Sequence, residues 1–169
     1  LYKIDTMSQV IDDTTFIGGY ESKHMTMIEN ISRLSYSMYL NEEAYNALKQ
    51  MYDDLYKNTK KRFLVTSAYK SYDVLNLEEN TSQAGYSEFQ LGTSVSLKVN
   101  GIKDVEFVST DVYQWLLEHS YEYGYVLRYP SDKVTITQKE SCNIFRYVGK
   151  ENAQKMHNQN LCLEELNNQ

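Results

Sequence analysis

Proline is almost missing from this chain: Pro130 stands alone among 169 residues, which excludes a proline-rich spacer or recognition segment. Cysteine is equally scarce. Cys142 and Cys162 fit neither a CxxC nor a zinc-ribbon spacing, so the chain is no disulfide scaffold or Cys-based zinc module. A single bond between the two in an oxidising compartment stays open. No apolar run approaches the ~20 residues needed to cross a bilayer. Positive charge is sparse as well. The net charge of −6 and a pI near 5.1 argue against nucleic acid, which demands a concentrated basic face. The one basic run, KNTKKR at 57–62, reads as the solvated end of a helix. The chain opens at Leu1 rather than methionine, and an upstream signal or anchor is an expectation on that ground.

What is abundant is tyrosine, with 16 copies in an aromatic content of 13%, too much for a disordered chain. Tyrosine fills a core with its ring and reaches a polar partner with its hydroxyl. The length suits one compact domain.

Along the chain, residues 1–39 give weak signals, and the double glycine in FIGGYESKHM (16–25) suits a turn; this stretch is expected to wrap the edge of the domain formed by 40–169. A helix follows in LNEEAYNALKQMYDDLYKN, with Asn41 as cap, Glu42 and Glu43 at the positive end of the dipole, and Ala44, Leu48, Met51 and Leu55 as one stripe. RFLVTSAY (62–69) reads as a buried strand and SYDVLNLEENTSQAGYSEFQ (71–90) as a loop of the kind that carries sites. SVSLKV (94–99) alternates, with Val95, Leu97 and Val99 on one face and Ser94, Ser96 and Lys98 on the other. STDVYQWLLEHSYEYG (109–124) reads as a second helix, capped by Ser109, with Val112, Trp115 and Leu116 inward. YVLRYP (125–130) and NIFRYVG (143–149) read as strands, separated by a turn at SDK and the alternating VTITQ; the tail reads as one or two helices. The sum is one α+β domain.

Four segments, in order, resemble a known family. TSAYKSY (66–72) is similar to S-G-Y-R-S-Y, and GYSEFQLGTSVSL (85–97) to G-x-S-E-H-Q-x-G-x-A-x-D. WLLEHSYEYGYVLRYP (115–130) is similar to W-L-x-x-N-A-x-x-Y-G-F-x-L-R-Y-P, and ESCNIFRYVGKENA (140–153) to Y-E-P-W-H-F-R-Y-V-G-x-E-x-A. These are motifs of the VanY-like D-alanyl-D-alanine carboxypeptidases, zinc peptidases that trim bacterial peptidoglycan. The resemblance implies a small central antiparallel sheet flanked by helices, a fold shared with the hedgehog signalling domain.

The family's chemistry, as the resemblance implies it, uses zinc held by two histidines and an aspartate, with a glutamate taking a proton from the metal-bound water. Here Phe89 and Ile144 stand at the histidine positions, Ser96 at the aspartate and Ser141 at the glutamate. Lys70 replaces an arginine, keeping the charge but losing the two-pronged geometry for a carboxylate. Leu75, Cys142 and Asn143 stand where glutamine, proline and tryptophan are usual. Scaffold positions such as Gly85, Trp115, Arg146 and Gly149 match.

The resemblance therefore implies a degenerate member with no catalytic residues and no zinc, its old metal cavity plugged by Phe89 and Ile144. The alternative is an active carboxypeptidase with a rebuilt site. None of His24, His119 and His157 is near the former ligand positions in sequence, and no histidine adjoins Cys142 in sequence, though one approaching in the fold stays open. If the cleft survives, Tyr69, Lys70, Glu88, Gln90 and Arg128 are the candidate binding residues. The expected partner is a peptidoglycan stem peptide or an envelope protein, at an extracellular or cell-surface location.

Overall fold

A computed structural model describes residues 4–78 and 84–169. Two short strands, β1 (Met25–Met27) and β2 (Tyr39–Asn41), pair antiparallel and lead into helix α1 (Glu42–Thr59). Asn41 caps α1 as expected, its side-chain oxygen accepting from the backbone N–H groups of Glu43 (3.1 Å) and Ala44 (3.3 Å). The expected stripe of Ala44, Leu48, Met51 and Leu55 is fully buried.

Four strands then form the central antiparallel sheet: β3 (Leu64–Ser67), β4 (Ser94–Lys98), β5 (Tyr125–Tyr129) and β6 (Ser141–Tyr147), in the order β3-β4-β6-β5. The pleat of β4 divides the sheet into two faces. Val95 and Leu97 join Phe145, Tyr125 and the α1 stripe in the main core, while Ser96 and Lys98 are half-buried on the opposite face. Several tyrosines bind the two layers by their hydroxyls. Tyr125 Oη donates to Ala44 O at 2.6 Å, Tyr147 Oη to Glu43 at 2.8 Å, and Tyr123 Oη to Asp54 at 2.8 Å. Each ring is buried and each hydroxyl reaches α1, which explains how a domain so rich in tyrosine satisfies its interior.

The remaining helices are short: α2 (Tyr72–Leu77), α3 (Asp104–Phe107), α4 (Asp111–His119), α5 (Val134–Thr137), α6 (Lys150–Gln159) and α7 (Leu163–Asn167). Three details differ from the sequence reading. Thr110, not Ser109, caps α4, its hydroxyl accepting from Tyr113 N at 3.1 Å. VTITQ is not extended; α5 occupies it, following a 3₁₀ turn at Ser131–Lys133, and Gln138 ends it in the left-handed conformation (φ 58°). The alternation of β-branched residues was a poor guide there: Gln138 N donates to Val134 O at 2.9 Å, closing a helical turn instead of a ladder. Within 71–90, read as loop, α2 and a 3₁₀ turn at Glu88–Leu91 form, while residues 79–83 lie outside the described ones. Cys142 and Cys162 are both free thiols.

The N-terminal stretch lies against the 85–92 segment. Ile17 N donates to Gly85 O at 2.8 Å, and the side-chain amide of Gln90 donates to Gly18 O (2.8 Å) and Tyr20 O (3.0 Å). Gly92 allows this approach: it has φ +76°, and a Cβ there would stand 2.6 Å from Ser22 Oγ.

Candidate functional site

The sheet face opposite α1 carries a cleft. Its floor is one row of cross-strand neighbours, since Ser96 on β4 is in register with Ser67 on β3 and with Ile144 on β6. The 3₁₀ turn that Gly92 terminates delivers Phe89 to the same place, and Ser141 arrives at the start of β6. The four positions singled out by the sequence are thus brought together. Ser96 belongs to a cavity of about 330 Å³ on one side, while Phe89, Ser141 and Ile144 also border a second of about 260 Å³. All four are half-buried, so Phe89 and Ile144 form a wall within an open cleft instead of a complete plug.

Whether these residues could hold zinc is a matter of donor atoms. Phe89 and Ile144 have no lone pair to give, and Ser96 has a neutral hydroxyl; zinc takes imidazole, thiolate or carboxylate. The set does not fit the metal. Among the described residues no group of three or more His, Cys, Asp and Glu is placed to hold an ion. The histidines lie elsewhere: His119 contacts Glu122 at 3.0 Å, His157 stacks on Tyr121 at 3.7 Å between ring centres, and His24 is exposed. Burial pushes the Cys142 thiol up, away from a reactive thiolate.

The candidate binding residues divide. Glu88 is buried beside the cleft, accepting from Arg128 Nε (2.5 Å), Arg146 Nη1 (2.7 Å) and Ser94 Oγ (2.9 Å). Burial alone would raise its pKa, but the two guanidiniums outweigh that and hold it below the usual carboxylate range. Arg128 is itself buried, and its remaining nitrogens form a two-pronged pair with Glu164 at 3.0 and 2.8 Å. Gln90 is fully buried; besides the two carbonyls above, its oxygen accepts from Gly85 N at 2.8 Å. The polar groups of Gln90 and Arg128 are thus engaged within the fold. Arg146 belongs to the same interior system, reaching Thr6 O (2.9 Å) and Gln9 O (3.0 Å) of the N-terminal stretch.

Tyr69 and Lys70 instead line a third cavity, of about 400 Å³, with Tyr39 and Val74. Lys70 N donates to Phe89 O at 3.2 Å, which sets this cavity beside the Phe89 wall. Its ammonium is taken by Glu78, at 2.9 and 2.8 Å from the two carboxylate oxygens. Desolvation raises the Tyr69 phenol above its ordinary value. The cleft also contains residues that sequence reasoning passed over: Lys98, Asp104, Lys139 and Glu140. For Lys98 a signal existed, because it falls on the same strand face as Ser96.

The sequence matches the VanY family, described as D-alanyl-D-alanine carboxypeptidase, over residues 74–150. The chain is 45% identical over 86 residues to a D-alanyl-D-alanine carboxypeptidase of Enterococcus faecalis, covering 50% of this chain and 31% of that protein. It is 32% identical over 152 residues to one of Enterococcus faecium, covering 85% of this chain and 49% of that one. The chain thus spans at most about half the length of these relatives. The solved structure of the LdcB LD-carboxypeptidase superposes with a TM-score of 0.84 at 28% identity, over 94% of this chain and 84% of the other. Over residues 74–150 and in its fold, the chain is similar to the VanY-like D-alanyl-D-alanine carboxypeptidases.

Proposed function

We propose that this chain is a non-catalytic member of its family, a module of the bacterial cell envelope that binds peptidoglycan stem peptide in the persisting cleft without cutting it. One observation carries the reading: at the convergence of β4, β6 and the 3₁₀ turn, the side chains are Phe89, Ser96, Ile144 and Ser141. None supplies a metal-binding imidazole or carboxylate, and Ser141 has no carboxylate to take a proton from water near neutral pH. The cleft around them stays open, with Tyr69 and Lys70 along its flank. The relatives' names speak for a D-alanyl-D-alanine peptide, and the LdcB structure for peptidoglycan recognition.

The test uses the purified chain dialysed against zinc and the pentapeptide L-Ala-γ-D-Glu-L-Lys-D-Ala-D-Ala. The expected result is zinc far below one per chain, no release of D-alanine, and amide shifts around residues 66–70 and 86–98 on titration. Stoichiometric zinc with D-alanine release would replace the proposal by an active carboxypeptidase with a rebuilt site. Absence of both cleavage and shifts would favour an envelope protein as the partner.

A further inference from the structure

The cations around the cleft are not equivalent. Lys70, at the position that resembles the family's arginine, is matched by both oxygens of Glu78. Lys139 is paired with Asp13 at 2.9 Å. Arg128 and Arg146 are locked into the interior by Glu88 and Glu164. Lys98 differs from all of these. It lines the 330 Å³ cavity beside Ser96 and Asn143, is half-buried, and has no ion-pair or hydrogen-bonding partner among the described residues.

We propose that Lys98 is the specificity-determining residue of the cleft, reading a free carboxylate of the bound peptide. The inference rests on the stem-peptide reading and names the group that would select its ligand. Three features support it. Lys98 is two residues beyond Ser96 on β4, so the pleat directs both side chains to the same face. The hydroxyls of Ser67, Ser96 and Ser141 line the same cavity and can donate to a carboxylate held by the ammonium. A cation already matched by an internal carboxylate, as Lys70 is, must break that pair before it serves a ligand, whereas Lys98 has no such pair to break among the described residues. The one acid on this cavity among the described residues, Asp104, is exposed at the start of α3 and makes no ion pair with Lys98. Its charge opposes an incoming carboxylate, which provides a second handle on the same interaction.

The experiment titrates the ¹⁵N-labelled chain with diacetyl-L-Lys-D-Ala-D-Ala and with its C-terminal amide. The acid is expected to bind roughly fivefold more tightly than the amide, the scale of one partly exposed ion pair. Lys98→Met should abolish that preference, Lys98→Arg should keep it, and Asp104→Asn should enlarge it. Dispersed amide spectra check that each variant is folded. Equal binding of acid and amide by the wild-type chain, or a preference that survives in Lys98→Met, overturns the role of Lys98 and leaves stem-peptide binding standing. A wild-type chain that binds neither probe overturns both.

Discussion

Replacing Glu88 by glutamine tests the interior on which the cleft is built. The change preserves shape and removes a charge that two arginines share. Glu88 is 5% exposed, Arg128 1% and Arg146 0%. Arg128 would keep its two-pronged contact to Glu164, but Arg146 would retain only the carbonyls of Thr6 and Gln9. The loss therefore falls mainly on Arg146, left as a buried guanidinium with no carboxylate. Removing one partner of a buried pair costs about 3–5 kcal/mol. For a domain of this size that lowers Tm by roughly 10 °C. Urea unfolding followed by the fluorescence of Trp115, with circular dichroism as a second probe, measures it. Glu164→Gln is the control: Glu164 has a side chain 15% exposed, and about 1 kcal/mol is expected from its loss. The pH dependence follows from the same carboxylate. Its folded pKa lies below the ordinary 4.5, so its contribution is complete above 4.5 and lost as pH falls through the folded value. The stability curves of wild type and Glu88→Gln should converge in acid. A Glu88→Gln loss under 1 kcal/mol, or one smaller than that of Glu164→Gln, would refute the account of the interior.

The other predictions are more local. Asn41→Ala should destabilise by about 1 kcal/mol through loss of the α1 cap, and an unchanged urea midpoint would argue against the cap. Gly92→Ala should cost about 1–3 kcal/mol, combining a left-handed φ of +76° with a Cβ pressed against Ser22; hydrogen exchange should show the loss spreading into the N-terminal stretch. Placing metal donors at three of these positions together, as Phe89→His, Ser96→Asp and Ile144→His, should produce a chain that takes up stoichiometric zinc, read by elemental analysis after dialysis. Failure of that variant to bind while remaining folded would show that the three positions do not converge as the register of β4 and β6 and the 3₁₀ turn place them.

Much of this architecture was legible in the residues alone. The α1 cap and stripe, the two faces of β4 and the strands around FRYVG all rest on local rules: a side-chain oxygen opposite free N–H groups, and periods of 3.6 and 2. The residue types at 89, 96, 141 and 144 are legible too, since the presence of phenylalanine, serine or isoleucine is a matter of identity. Where those positions come together was decided only in three dimensions, because the register that aligns Ser67, Ser96 and Ile144 pairs residues far apart in the chain. The fate of the polar residues was settled there as well. Glu88, Gln90 and Arg128 are charged or polar in any reading, but whether such a group faces a ligand or an internal partner depends on what the fold sets against it. Here the N-terminal stretch, Arg146 and Glu164 claim them, and the same accounting leaves Lys98 facing the cleft with its charge unmatched among the described residues.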